Sequence, residues 1–108
     1  MKDDRLYLIH IQECIKRIDK YTGKGREGFM SDTMVQDSVI RNLQTLAESA
    51  TRMSAPAKES CREVDWKGIT GFRNVLVHDY LGVDLERIWL IIQRDIPVLK
   101  TAVERLLK

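Results

Sequence analysis

The chain has 108 residues, a length that fits one domain with one hydrophobic core, residues 1–108. Charged residues make up 31% and aromatic residues 6%, which favours helices with solvated outer faces over a β-sandwich or a barrel. The formal net charge of +2 excludes a strong global field, so any contact with nucleic acid must depend on a local patch.

Two isolated cysteines, Cys14 and Cys61, indicate a reducing compartment. Residues 1–5 contain no apolar segment of a signal peptide, and no apolar run approaches the length of a membrane span, so we expect a cytoplasmic protein with no membrane partner. Both thiols are expected to pack as small hydrophobic groups, and a disulfide between them is the less favoured alternative. The two cysteines lack metal-ligand spacing, and we expect neither a metal ion nor a cofactor.

The apolar spacing predicts a first helix that Asp3 or Asp4 caps and that runs to about Lys20. The residues of its buried face are Leu8, Ile11, Ile15 and Ile18. His10 lies beside this stripe. We interpret it as a partly exposed helix residue, because nothing near it in the sequence supplies a catalytic partner.

The stretch from Tyr21 to Met30 interrupts the helical pattern with three glycines, at positions 23, 25 and 28. We interpret it as a flexible connection. A phosphate-cradling loop is the alternative, but the Gly-x4-Gly-Lys-Ser/Thr spacing is absent and no strand precedes the stretch. Its two cations, Lys24 and Arg26, remain available for contact with a nucleic-acid backbone.

Ser31 or Asp32 opens a second long helix, which is predicted to run to about Met53. The residues of its buried face are Val35, Val39, Leu43, Leu46, Ala47 and Ala50. The sequence Ser54-Ala55-Pro56 then ends this helix and starts a short one that stops near Arg62, because proline is tolerated in a first helical turn.

Asp65 is the expected N-cap of a third long helix with Gly82 as its stop, and Asp84 is the expected N-cap of a fourth. The core stripe of the third long helix is Ile69, Phe72 and Leu76. That of the fourth is Leu85, Ile88, Ile92, Ile96, Leu99, Val103 and Leu106. Pro97 predicts a kink or a helix that restarts at Asp95. No alternating strand pattern occurs. The sequence therefore predicts an all-α, antiparallel up-and-down bundle of four long helices with one short extra helix.

The chemically active side chains are concentrated in residues 71–81, which contain Arg73, Asn74, His78, Asp79 and Tyr80. A guanidinium binds phosphate through two parallel hydrogen bonds, and an imidazole exchanges a proton near neutral pH. Together they suffice to cleave an RNA phosphodiester without a metal ion and to leave a 2′,3′-cyclic phosphate. We expect Arg73 to hold the phosphate, His78 to act as general base or acid, and Asn74 and Asp79 to support them.

Arg73, His78 and Tyr80 match the Arg-x4-His-x-Tyr motif, and this stretch resembles HEPN-domain toxins of the HepT type. The flanking residues 64–70, 81–84 and 95–100 are similar to the same family, and the similarity is weakest in residues 22–34. The resemblance implies a HEPN-like fold, a homodimer, RNA as the substrate of an endoribonuclease, and a type VII-like toxin–antitoxin pair. It also implies that a nucleotidyltransferase antitoxin of the MNT type adenylylates Tyr80.

The geometry of a single helix separates the two catalytic candidates. Each residue turns an ideal helix by about 100°, so Arg73 and His78 point about 140° apart. Either the helix loosens at His78, which then swings toward Arg73, or a second subunit brings its own motif helix alongside and both copies line one cleft. Gly68 and Gly71 permit close helix contact, so they favour tight packing at this helix and the dimer.

Two other functions would use the same residues differently. A non-catalytic HEPN module would bind a nucleotide or dock onto the nucleotidyltransferase as its helper subunit. A plain dimeric helical scaffold would carry the motif by coincidence, with Arg73 paired only to Asp79 or Glu63 and His78 bound only to helix-end carbonyls. The intact motif favours catalysis, because a binding module has less need of His78.

Overall fold

Helices make up all of the regular structure in the described chain. The computed structural model describes residues 2–78 and 84–108, without the side chains of residues 2–3 and 73–78. Within these ranges the elements are α1 Lys2–Tyr21, α2 Gly25–Ser31, α3 Thr33–Thr51, α4 Ala55–Glu59, α5 Trp66–His78 and α6 Leu85–Leu107. The predicted all-α fold is confirmed. Two short helices, α2 and α4, accompany the four long ones, instead of the single short helix predicted.

The long helices run antiparallel to their neighbours, and the bundle therefore has two distinct ends. Asp4 in α1 contacts Ser54 just beyond the end of α3, and Leu8 of α1 lines a groove together with Leu106 near the end of α6. Helix α3 packs against α1, α2 and α5, and α1 also packs against α6. We call the end with the start of α1 and the end of α6 the terminal end. The end with α2 and the last turn of α5 is the motif end.

The predicted apolar stripes face one common core. Its completely buried members, all at 0% exposure, are Ile11, Ile18, Val39, Leu43, Leu46, Ala47, Ala50, Cys61, Leu99 and Ala102. Each large aliphatic side chain buried in this way contributes about 1.5–3 kcal/mol. Cys14 and Cys61 are buried free thiols, as predicted. None of the described helices combines the length and the apolarity needed to cross a bilayer.

The N-terminal cap prediction is wrong, because Asp4 serves a different helix. Helix α1 already includes Asp3 and Asp4. The Asp4 carboxylate is 8% exposed and accepts hydrogen bonds from the hydroxyl of Ser54 at 2.6 Å and from its backbone N–H at 2.8 Å. These bonds lower the pKa of Asp4. Ser54 Oγ accepts from the Ala57 N–H at 3.3 Å, so Asp4 ties α1 to the N-cap of α4.

Helix α2 replaces the flexible connection that was predicted. Gly25 starts it with a positive φ of 78°, which glycine adopts without strain. Phe29 is 1% exposed, and its ring stacks on Trp89 of α6 with 5.5 Å between centroids. The Gln36 side chain of α3 donates to the carbonyls of Phe29 at 2.9 Å and of Met30 at 3.1 Å. Tertiary contacts thus hold a segment whose glycines disfavour a helix.

The other helix ends agree with the predicted local chemistry. The Asp32 carboxylate accepts from the N–H groups of Met34 and Val35 at 2.9 and 3.3 Å, and it caps α3. Asp84 caps α6 in the same way, accepting from the second and third residues of that helix at 3.0 and 3.3 Å. Helix α6 passes through Pro97 as one element, so the predicted restart at Asp95 does not occur.

Candidate active site

The start of the motif helix α5 is anchored by a cap and by a tryptophan. The Asp65 carboxylate accepts from the Gly68 N–H at 3.0 Å, which confirms the predicted N-cap. The indole Nε1 of Trp66 donates to the carbonyls of Lys58 and Cys61, both at 3.1 Å. The first turn of α5 is therefore fixed to the last turn of α4 and to the segment that follows it.

The middle of α5 is held in the core beside α3. Ile69 and Phe72 are 1% and 7% exposed, in agreement with the predicted stripe. The side chain of Leu76, the third predicted member, lies outside the described residues. Because buried side chains fix the rotation of the helix about its axis, the core contacts up to Phe72 set the direction from which the next turns emerge.

The three predicted site residues on α5 lie in its C-terminal half, at the motif end. Helix α5 is α-helical through His78, so it does not loosen there as one alternative required, and the backbone positions of Arg73 and His78 lie about 140° apart around the axis. Asn74 stands one turn before His78 on the same face. The side chains of all three lie outside the described residues, as do Asp79, Tyr80 and the predicted stop at Gly82 entirely.

The two glycines of α5 have different roles. A Cβ atom at Gly68 would collide with the capping carboxylate of Asp65, so this glycine leaves room for the cap. A Cβ atom at Gly71 would meet no atom of the described structure within 4 Å. The interpretation that both glycines mark tight packing is therefore wrong within one chain, and the half-exposed surface at Gly71 has room for an added group.

Glu63, which was considered as an alternative partner of Arg73, is already paired with another arginine. The Glu63 carboxylate accepts from Arg105 of α6 at 2.7 Å. Its own backbone N–H and the Arg105 guanidinium lower the pKa of Glu63. Arg105 also donates to Cys61 Sγ at 3.0 Å. This cluster lies at the terminal end and ties α6 to the segment before α5, so it serves the scaffold at a distance from the last turn of α5.

Asp95 is a feature that the sequence analysis missed, since it was considered only as a helix start. It is half-buried, and burial raises the pKa of its carboxyl, with Arg94 opposing and Asp65 adding to the rise. Asp65 directly precedes α5, about 20 Å along the axis from His78. The carboxylate that acts on Asp95 thus lies at the opposite end of α5 from His78. Over residues 2–78 and 84–108, no group of three or more His, Cys, Asp or Glu side chains is arranged to hold a metal ion.

Known proteins match this chain over nearly its whole length. A family model described as “Ribonuclease HepT-like” matches residues 11–106. “Putative RNase TTE0752” of Caldanaerobacter subterraneus subsp. tengcongensis is 35% identical over 109 residues, covering 100% of this chain and 97% of that protein. “Probable ribonuclease HepT” of Thermococcus cleftensis is 34% identical over 103 residues, covering 94% of each.

One relative is considerably longer than this chain. “Gamma-glutamylcyclotransferase and putative RNase MJ0434” of Methanocaldococcus jannaschii is 32% identical over 108 residues, which make up 99% of this chain and 49% of that protein. No solved structure matches this chain significantly. The match of the family model and the identities above 30% across complete relatives confirm the resemblance seen in the motif. This chain belongs to the HepT-like ribonuclease family.

Proposed function

We propose that this chain is a metal-independent endoribonuclease toxin of a HEPN/MNT toxin–antitoxin pair that acts in the cytoplasm. The observation that carries the proposal is the position of Arg73 and His78 on one anchored helix, within a chain that matches the HepT-like ribonuclease family over residues 11–106. Relatives named as ribonucleases support RNA as the substrate class. The free buried thiols of Cys14 and Cys61 are consistent with a reducing compartment.

In the proposed reaction, His78 takes the proton of a ribose 2′-hydroxyl, whose oxygen attacks the adjacent phosphorus. The bond from phosphorus to the 5′-oxygen of the next nucleotide breaks, that oxygen takes a proton from water, and His78 then returns its own proton to the solvent. Arg73 binds the phosphoryl oxygens and stabilises the charge that develops on them. Asn74 and Asp79 support the imidazole. The products are a 2′,3′-cyclic phosphate and a 5′-hydroxyl.

A two-subunit site fits the helix geometry better than a site within one chain. The positions of Arg73 and His78 face different directions on a regular helix, and α5 is regular up to His78. Gly71, on the same helix, leaves open space beside it. We infer a homodimer in which two α5 helices lie side by side, so that the phosphate is contacted from both copies.

Cleavage of RNA in the presence of a chelator tests the proposed chemistry. Purified wild-type protein should cleave single-stranded RNA at the same rate with and without EDTA, because neither Arg73 nor His78 needs a metal ion. Mass spectrometry of the 5′ fragment should show a terminus one water lighter than a 3′-phosphate. Loss of activity in EDTA with recovery in Mg²⁺ or Mn²⁺ would contradict the mechanism. An RNA left intact under all conditions would favour the helper-subunit alternative.

Inhibition by the partner enzyme is tested at Tyr80. We infer that a nucleotidyltransferase transfers AMP from ATP to the Tyr80 phenolic oxygen and releases pyrophosphate, after which the added phosphate repels RNA. Intact-mass measurement after incubation with the partner and ATP should show at least one added AMP on the wild type and none on Tyr80→Phe. The matched control is Tyr21→Phe, which removes the hydroxyl of an exposed tyrosine outside the motif. This variant should be modified to the same extent as the wild type. Equal modification of Tyr80→Phe would rule out this assignment.

A further inference from the structure

We propose that four exposed residues at the end of α1 and in the following turn form a contact site for the single-stranded RNA substrate. We call this surface the α1–α2 patch; it consists of Arg17, Lys20, Tyr21 and Lys24. The inference rests on the proposed function, since it concerns how the same RNA is held away from the cleaved bond.

The patch combines an aromatic ring with cations at close spacing. Tyr21 is 36% exposed, so part of its side chain is accessible to a ligand. Arg17 lies one turn before it on the same helix face, and Lys20 is its immediate neighbour. Single-stranded nucleic acids are bound by stacking of bases on aromatic rings together with cationic contacts to the phosphates. The tyrosine ring and the three cations supply both kinds of contact.

The turn that joins α1 to α2, and that contains Lys24 of the patch, is closed by hydrogen bonds. The Thr22 hydroxyl donates to the Ile18 carbonyl at 2.7 Å, and the Gly25 N–H donates to the Thr22 carbonyl at 2.9 Å. Gly25 has the positive φ that lets the chain turn directly into α2. Because these hydrogen bonds exist without RNA, binding at the patch does not require the turn to form them.

The charge at the patch is not cancelled by the acids around it. Asp19 is paired with Lys100 of α6 at 3.1 Å, and Glu86 is paired with Arg26. The three cations of the patch form no ion pair with another described residue. Glu13, one turn before Arg17, is paired with Lys16 at 3.7 Å, and the exposed Glu27 lies three positions after Lys24. A local positive surface therefore remains, although the chain as a whole carries only +2.

The patch lies at the motif end, within reach of the proposed cleavage site. Helix α2 is joined to the first turns of α6 by the pair between Arg26 and Glu86 and by the stack of Phe29 on Trp89. The N-cap of α6 follows His78 by six positions, a length of chain that spans at most about 22 Å. A single RNA strand of a few nucleotides is therefore long enough to contact both the α1–α2 patch and the proposed cleavage site. An acidic protein surface would also suit the cations but would leave the exposed ring without a role.

The experiment measures RNA affinity in a His78→Ala background, in which the RNA stays intact. The probe is a fluorescein-labelled, mixed-sequence single-stranded RNA, and binding is followed by anisotropy at several salt concentrations. Tyr21→Ala should weaken binding by at least about fivefold, the lower limit for loss of one stacked base, and Tyr21→Phe should bind normally. Lys20→Ala/Lys24→Ala should reduce the slope of log K against log salt by about 1.4, since each phosphate contact contributes about 0.7.

A matched control separates the patch from a general effect of charge. Arg62→Ala/Lys67→Ala removes two exposed cations at the terminal end, with the same change in net charge, and should bind RNA like the parent. In the active background, the patch variants should raise KM and leave kcat unchanged, because they do not contact the reacting atoms. Weaker binding to the nucleotidyltransferase with unchanged RNA affinity would overturn the inference in favour of a protein-docking surface.

The remaining outcomes distinguish the patch from the proposed function. If the wild type cleaves RNA and the patch variants bind RNA as tightly as the control, the patch is excluded and the ribonuclease proposal stands. If the wild type neither binds nor cleaves RNA, the proposed function fails and this inference fails with it.

Discussion

Replacing His78 with alanine is expected to slow RNA cleavage by at least about 10²-fold, because a positioned acid–base group contributes about 10²–10⁴-fold to such a reaction. The helical fold and the assembly state should not change, since His78 is the last residue of α5 and the core contacts of that helix precede it. RNA cleavage assays measure the rate, circular dichroism measures the helical fold, and size-exclusion chromatography measures the assembly state.

The control for this variant is His10→Ala, because His10 is the other histidine of the chain and is exposed on α1. It should cleave RNA at the wild-type rate. If His78→Ala retains the wild-type rate, the assignment of the acid–base group is wrong.

The same variant also tests the two-subunit site. Inactive Arg73→Ala and His78→Ala proteins that are mixed and re-associated should recover part of the activity, because each mixed dimer contains one intact site. A mixture that stays inactive would place both groups in one chain.

Replacing Phe29 with alanine is expected to lower the free energy of unfolding by about 3–5 kcal/mol, the usual cost of removing a large buried aromatic side chain. Phe29 is 1% exposed and stacks on Trp89, so its loss leaves a cavity between α2 and α6. Urea denaturation followed by circular dichroism gives the change directly. We expect the urea concentration at half-unfolding to fall, with little change in the slope of the unfolding free energy against urea concentration.

The control is Met34→Ala, since Met34 is 77% exposed at the start of α3. Its replacement should change the free energy of unfolding by no more than about 0.5 kcal/mol. If Phe29→Ala costs less than about 1 kcal/mol, α2 does not depend on its contact with α6. The flexible connection predicted from the glycines would then describe this segment better than an anchored helix.

Local chemistry made much of this fold predictable from the sequence. Asp32, Asp65 and Asp84 cap the helices they precede, because each carboxylate accepts from N–H groups only two or three residues further along. The apolar stripes were predictable for the same reason, since the helical period alone decides which side chains share a face.

The features that the sequence analysis missed depend on partners far along the chain. Asp4 was expected to cap its own helix, but its partner Ser54 lies 50 residues away. Helix α2 was expected to be a loop, because glycine disfavours a helix by about 1 kcal/mol per residue. Its stability comes from Trp89 and Gln36, which no local pattern connects to Phe29.

The candidate site was predictable as a motif but not as an arrangement. The spacing of Arg73 and His78 makes the two groups candidates, whereas the arrangement of their side chains depends on contacts that no local pattern records. In the proposed dimer this arrangement would depend on surfaces such as the open one beside Gly71.

The antiparallel arrangement also determines how this unit can be joined to others. Asp4 near the start of α1 and Leu107 at the end of α6 line the same groove, at the end of the bundle remote from His78. An affinity tag or a second domain attached at either terminus would therefore project away from the end that carries His78. The same topology allows fusion to a further domain without obstruction of the His78 end, which agrees with a longer relative in which the matching region forms 49% of the protein.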